Sequence, residues 1–154
     1  LYTFGDPKRD PRQRIISTAY YCLVNPKSYN LVKNSNEATE VRWFSVADLD
    51  SLAFDHSNII QLAVDRLRGK IRYQPIGFEL LPEKFPFKEV QAIYETILGV
   101  EFNRGNFRTK FMKLGVVKET EEIEEGVSHR PAKLFEFDKT TYWKMHAEGY
   151  YFEI

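Results

Sequence analysis

Residues 87–115 read FKEVQAIYETILGVEFNRGNFRTKFMKLG, and this stretch decides how the C-terminal half of the chain is read. Val90, Ile93, Tyr94, Ile97 and Leu98 recur at helical spacing, which predicts an amphipathic helix over 87–98. Pro86 suits its first turn, where a missing N–H costs nothing, and Gly99 ends it. After the short turn GVEF, Asn103 caps a second helix that Gly115 stops. On it Phe107, Phe111 and Leu114 share one face by i, i+4, i+7 spacing, the pattern of a core stripe. Arg108, Thr109 and Lys113 point away from that stripe, with Arg104 and Lys110 beside them. Residues 103–114 carry no acid at all, although the chain balances 22 Lys/Arg against 22 Asp/Glu.

Working outward, VVKET (116–120) and AKLFEFD (132–138) read as two strands joined by an acidic turn that ends at Gly126. Helix, four-residue turn, helix and hairpin come in the order of a winged helix-turn-helix. The apolar side of such a second helix docks on its own domain, and its cationic side is free for phosphates and base edges. On this reading the DNA contacts fall to Arg104, Asn106, Arg108 and Lys110 on the helix and to Arg130 and Lys133 on the wing. Arginine's planar fork matches phosphate and guanine. Asn106 either reads adenine or braces the helix start. The plain alternative for the segment is a solvated amphipathic helix. Glu119, Glu121, Glu122, Glu124 and Glu125 crowd the hairpin, where phosphates would repel them. They are expected to face solvent while His129, Arg130 and Lys133 approach the backbone.

The N-terminal half is organised differently. Residues 1–5 form a short strand, and GDPKRDPRQR (5–14) is a turn-rich loop. IISTAYYCLV (15–24) is β-branched or aromatic at nearly every position and reads as a strand buried on both faces. Asn25-Pro26 breaks it, and 27–38 reads as an exposed loop. EVRWFSV (40–46) reads as another strand, with one helical turn over Val46–Leu49. SNIIQLAVDRLRG (57–69) carries a helical stripe at Ile59, Ile60, Ala63, Val64 and Leu67, with Ser57 as cap and Gly69 as stop. Gln74-Pro75-Ile76-Gly77 marks a break.

Composition narrows the function. Residues 1–70 hold ten basic against eight acidic side chains, +2, and residues 71–154 twelve against fourteen, −2. Nucleic-acid binding would therefore depend on a local patch. No apolar run is long enough to span a bilayer. Cys22 is the only cysteine and there are three scattered histidines, which excludes a disulfide framework and gives no zinc spacing. EEIEEGV (121–127) imitates the end of the Nudix metal motif. Its spacing fails twice, because no residue separates Ile123 from Glu124 or Glu125 from Gly126, so it is set aside as a metal site.

TFGDPKRDPRQRIISTAYYCLV (3–24), then Trp43-Phe44 and Leu52-Ala53-Phe54-Asp55-His56 ahead of a helix, resemble the segment that follows the Nudix box in ADP-ribose pyrophosphatases and Nudix-related transcriptional regulators. PIGFELLP (75–82), the helix over 87–98, the N-F-R-x-K segment at 106–110 and RPAKLFEFD (130–138) resemble the winged-helix domain of the regulators. The resemblance covers nearly the whole chain. It implies an α+β protein: the C-terminal portion of a Nudix-like α/β/α sandwich over 1–72, then a winged helix-turn-helix domain over 73–154. The chain opens on Leu1 inside an apolar segment, so an N-terminal part holding the Nudix box is expected to precede it.

The function that the resemblance implies is effector-controlled transcription regulation, with double-stranded operator DNA as partner, commonly as a homodimer in the cytoplasm. The effector expected is ADP-ribose or another ligand of NAD metabolism, or a sugar such as arabinose. No cofactor, metal or membrane association is expected. Candidate effector-binding residues are Asp6, Arg9, Asp10, Arg12 and Tyr21, a loop that can offer guanidinium to phosphate and carboxylate to sugar hydroxyls. Internal pairing of Asp10 with Arg12 or Arg14 is the structural alternative. Of Tyr20 and Tyr21, one is expected to face the core and the other a pocket, and Phe54, Asp55 and His56 to shape that pocket or the helix entry. The competing function is a hydrolase of ADP-ribose or a related nucleoside diphosphate. Departures from the regulators' pattern at Gly105, Thr109 and Pro86 bear on operator sequence. Gly105 also costs about 1 kcal/mol of helix stability relative to alanine.

Overall fold

The computed structural model of the chain describes residues 1–32 and 40–149. They form two compact units, Leu1–Arg66 and Leu67–Ile154. Both units mix helix and strand, and a winged helix occupies the second.

In the first unit, β1 (Tyr2–Phe4) pairs antiparallel with β2 (Ser17–Ala19), Thr3 opposite Thr18. The strand expected over 15–24 is thus three residues long and is covered on one face, not two. Ile16 and Tyr20 lie in solvent, Tyr20 being 86% exposed. Branched and aromatic side chains favour a pleated backbone, but burial needs a layer on each side. Here β2 belongs to a two-stranded sheet. EVRWFSV is not a strand either: no ladder pairs it among the described residues, and Arg42 stacks on Phe44 at 4.5 Å instead. The turn after it does form, as a single 3-10 turn over Val46–Asp48 capped by Ser45. A similar turn, Pro26–Ser28, follows the Asn25 cap, and 33–38 of the expected loop lie outside the described residues.

Helix α1 runs His56–Tyr73, longer at both ends than its sequence signals. Ser57 lies inside it rather than capping it, its Oγ accepting from the Leu52 N–H at 3.4 Å. Gly69 does not stop it, because the last turn is anchored beyond that residue. Ile71 is fully buried in the second unit's core, and Arg68 donates from Nε to the Ile97 carbonyl at 3.0 Å. Packing outweighs the penalty of about 1 kcal/mol for an internal glycine.

The second unit contains β3 (Lys84–Pro86), α2 (Phe87–Leu98), α3 (Arg104–Leu114), β4 (Val117–Ile123), β5 (Lys133–Phe137) and α4 (Lys139–Ala147). The sheet order is β3-β5-β4, antiparallel throughout. Pro86 is the last residue of β3, opposite Leu134, and the extended residue before α2, not part of that helix's first turn. Neither β3 nor α4 is signalled in the sequence. β3 is too short to show alternation, and α4 carries a weak stripe but a strong cap: Asp138 accepts from the Thr141 N–H at 3.1 Å and its hydroxyl at 2.7 Å. The glutamates assigned to the hairpin turn are displaced too, since Glu119, Glu121 and Glu122 lie within β4.

The core of this unit is aromatic. Phe78, Phe85, Phe87, Tyr94, Phe107, Phe111 and Phe135 are buried around Val90, Leu114, Val116 and Val117. Tyr94 meets Phe107 and Phe111 edge-on at 5.5 and 5.0 Å, and Phe107 stacks on Phe111 at 4.9 Å. Such geometry suits ring quadrupoles. Gly77, just before the 3-10 turn Phe78–Leu80, has φ +95°, and a Cβ there would lie 3.0 Å from Ile93 Cγ2. Gly77→Ala is expected to cost more than about 1 kcal/mol, through backbone strain and the clash, read as a lower urea midpoint at unchanged slope. A loss of a few tenths would refute that account.

Candidate nucleic-acid interface

Local signals place α3. The Asn103 side chain accepts from the Asn106 N–H at 3.1 Å, and Gly115 closes the helix in the left-handed conformation. The turn before it is stapled by Glu95, which accepts from Gln91 Nε2 and from the Phe102 N–H, both at 2.8 Å. Those hydrogen bonds, Gln91's first, hold the Glu95 carboxyl below its ordinary range. Phe107, Phe111 and Leu114 are buried, as the spacing requires, so the opposite face must be outward.

On that face Arg104, Asn106, Thr109, Lys110 and Lys113 are exposed. Arg104, Lys110 and Lys113 have no ion pair among the described residues. Arg108 is different. Its guanidinium lies over the Phe135 ring at 5.0 Å and the Phe87 ring at 5.7 Å, and Nη2 donates to Glu119 Oε2 at 3.1 Å. Lys133 is held by the same carboxylate, Nζ to Oε1 at 2.7 Å. Lys133 first, and then Arg108, lower the Glu119 carboxyl's affinity for a proton.

The wing closes through the Glu124 N–H donating to the Ala132 carbonyl at 2.8 Å. Lys88 Nζ reaches Glu124 Oε1 at 2.7 Å and His129 Nε2 at 3.2 Å. Lys84 pairs with Glu122. The acidic side chains therefore do more than face solvent: three of them bind cations from α3, β5, β3 and the start of α2. EEIEEGV is strand as far as Ile123, so it does not place its carboxylates on one helix face. Arg130 sits exposed near the tip. Arg108 and Lys133 meet at the junction of helix and wing through Glu119, which in the sequence is only a repulsive charge. Arg108 and Glu119 lie in different elements, so no periodicity within either one reveals the link.

In the first unit the loop residues divide. Arg9 is spent internally: Nε and Nη2 grip both Asp55 oxygens at 2.8 Å, and Nη1 donates to Ser17 Oγ at 2.7 Å. Its side chain is 7% exposed. Asp10, the one buried residue among those described in this unit, receives the Arg12 N–H at 2.9 Å and Nη2 at 2.8 Å. Arg12 remains largely in solvent and stacks on Phe54 at 4.6 Å. Phe54 has φ +56°, a conformation uncommon for a bulky residue and a mark of stored strain. A pocket of about 200 Å³ is lined by Arg9, Asp10, Arg12, Ile15, Ser17, Phe54 and His56. Asp6 does not line it: its carboxylate accepts from the Lys8 N–H at 2.7 Å. Tyr21 does not line it either, and both Tyr20 and Tyr21 are exposed, so neither takes the core position expected of one of them. A larger cavity, about 620 Å³, lies in the second unit between Phe78, Phe85, Phe137 and Thr140 and contains none of the candidate residues.

Hydrogen bonds from Arg12 pull Asp10 from 3.8 down to about 2. A folded-state value below the unfolded one stabilises the protein above the unfolded value and stops doing so as pH falls through the folded one. Between about pH 4 and pH 2 the wild type is therefore expected to lose a stability increment that Asp10→Asn lacks. Thermal melts of both across that range check it, and parallel pH profiles would refute it.

Two helices joined by a short turn, with a hairpin whose sheet is completed by β3, define a winged-helix domain. Residues 77–137, within the second unit, match the family model described as the NrtR DNA-binding winged helix domain. The chain is 37% identical over 136 residues to the "ADPR responsive transcriptional repressor NtrR" of Acinetobacter baylyi, covering 88% of this chain and 54% of that protein. It is similar to the crystal structure of Shewanella oneidensis NrtR complexed with a 27mer DNA, with a TM-score of 0.77 and 26% identity over 97% of this chain and 65% of that one. Shewanella oneidensis NrtR without DNA gives a TM-score of 0.76 at 27% identity, over 99% and 66%. The chain thus spans about half the length of the curated relative it matches. Among the described residues no helix is long and apolar enough to cross a membrane.

Proposed function

We propose that the chain is part of an ADP-ribose-responsive transcriptional repressor of the Nudix-related regulators, in which α3 and the wing bind operator DNA. The observation that carries this reading is the acid-free outer face of α3, with Arg104, Lys110 and Lys113 in solvent, on a winged-helix scaffold. A basic helix face backed by a packed aromatic face suits major-groove entry. In this reading residues 1–72 are the C-terminal portion of a Nudix-like effector domain and 73–154 the DNA-binding domain. The protein acts as a cytoplasmic homodimer on a two-fold operator.

ADP-ribose is preferred to a pentose such as arabinose because of the relative named for it. The loop pocket supports part of that assignment. Exposed Arg12 over Phe54 offers charge to a phosphate beside a flat apolar surface. At about 200 Å³ it is smaller than small-molecule sites of about 300–1,000 Å³, so it would hold one moiety of the ligand.

The test is a duplex titration at several salt concentrations, with and without ADP-ribose, alongside thermal melts with ADP-ribose and arabinose. Expected are steep salt dependence, release of DNA by ADP-ribose, and stabilisation of about 2.7 kcal/mol at a hundred times the dissociation constant. DNA binding that ignores salt, or a melting shift with arabinose alone, would overturn the corresponding half. Magnesium-dependent cleavage of ADP-ribose would favour the hydrolase.

A further inference from the structure

Glu119 sits where a DNA-binding surface should least tolerate an acid, yet it is fully engaged. One oxygen takes Arg108 Nη2 at 3.1 Å, and the other takes Lys133 Nζ at 2.7 Å. The two cations come from different elements, α3 and β5, so the carboxylate ties the helix to the wing. Arg108 is meanwhile laid on the Phe135 and Phe87 rings, both of which are buried in the core. Two rings inclined at 69° to each other on one side, and a carboxylate on another, restrict where the guanidinium can sit. Its Nε and Nη1 have no hydrogen-bond partner among the described residues, and the side chain is still 45% exposed. The fork is thus held rather than hidden.

We propose that Glu119 is a specificity-determining positioning residue. By clasping Arg108 and Lys133 it orders the Arg108 fork for one base-edge geometry, and it lowers the affinity for DNA that offers only phosphates. This rests on the DNA-binding reading above. An unclasped arginine would swing to the nearest phosphate, gaining affinity for every duplex and information from none. A clasped one gives up part of that unspecific attraction. It keeps its planar fork aimed, and less side-chain entropy is lost on binding. Lys133 first, and then Arg108, hold the Glu119 carboxyl below its ordinary range, so the clasp persists to lower pH than a free glutamate would allow.

The experiment compares affinity for a duplex selected from a random pool by the wild-type protein with affinity for a scrambled duplex. Glu119→Gln preserves the side chain's size but presents an amide N–H₂ to one of the two cations. It is expected to bind the scrambled duplex several-fold more tightly, because one repulsive charge is gone, while the selected-to-scrambled ratio falls about tenfold. Arg108→Lys keeps the charge and loses the fork, so it should lower the ratio by a similar factor. The double variant should lose little more than either alone, because both remove one aimed group. Glu119→Gln binding both duplexes more tightly by the same factor would make the residue a mere repulsive charge and overturn the proposal, with DNA binding itself intact. Additive losses in the double variant would overturn it too. A wild-type protein that binds neither duplex would instead sink the DNA-binding reading, and this inference with it.

Discussion

Phe111→Ala is expected to remove about 3–5 kcal/mol from the stability of the second unit, the range for deleting a buried ring. Phe111 has no exposed surface, and its ring touches those of Phe78, Phe87, Tyr94 and Phe107, the last three within 6.0 Å. Those neighbours belong to the segment before β3, to α2 and to α3, so collapse around the hole would have to move all three at once. Domains of this size have about 5–15 kcal/mol in total, and the variant should sit near its folding threshold at about 37 °C. Urea titration followed by circular dichroism measures the loss directly. A penalty under about 1 kcal/mol would mean that the ring cluster is not the centre of the core. DNA binding should weaken in step with the folded fraction, because the ring that anchors α3 inward also fixes which residues face outward.

The second large effect is on affinity. Arg104→Ala combined with Lys110→Ala is expected to weaken binding to any duplex roughly tenfold to a hundredfold near physiological salt. The slope of log affinity against log salt should become shallower by about 1.8, since each phosphate contact contributes about 0.9. Both side chains are exposed and have no ion pair among the described residues, so their loss should leave the melting temperature nearly unchanged. This pattern differs from that of Arg108, which is held by Glu119 and two rings and whose replacement should alter sequence preference. The titration that measures affinity at several salt concentrations separates the two. An unchanged slope in the double variant would move the DNA contacts off this face of α3.

Several features are legible without coordinates. The ends of α2 and α3 follow from Gly99, Asn103 and Gly115, whose backbone preferences act within a few residues. The inward face of α3 follows from the spacing of three apolar side chains. The pairing of Asp10 with Arg12 is a two-residue affair, and the loop itself offers it as the structural alternative to effector binding. Short-range rules suffice where the forces are short-ranged. They mislead where an element needs a partner to exist, as in EVRWFSV and in both ends of IISTAYYCLV, because branched and aromatic residues favour a strand without supplying its neighbour.

What the sequence determined by itself was therefore a winged helix-turn-helix pattern, its caps and its cationic outer face, all set by periodicity and by glycine and asparagine at helix ends. Only the tertiary structure decided that β3 completes the sheet, that Ile71 draws α1 past Gly69, and that Arg9 grips Asp55 across 46 residues of chain. It alone turned Glu119 from a charge facing solvent into a clasp between helix and wing. Each of these contacts joins residues well separated in the chain, and no local preference records which distant group will arrive.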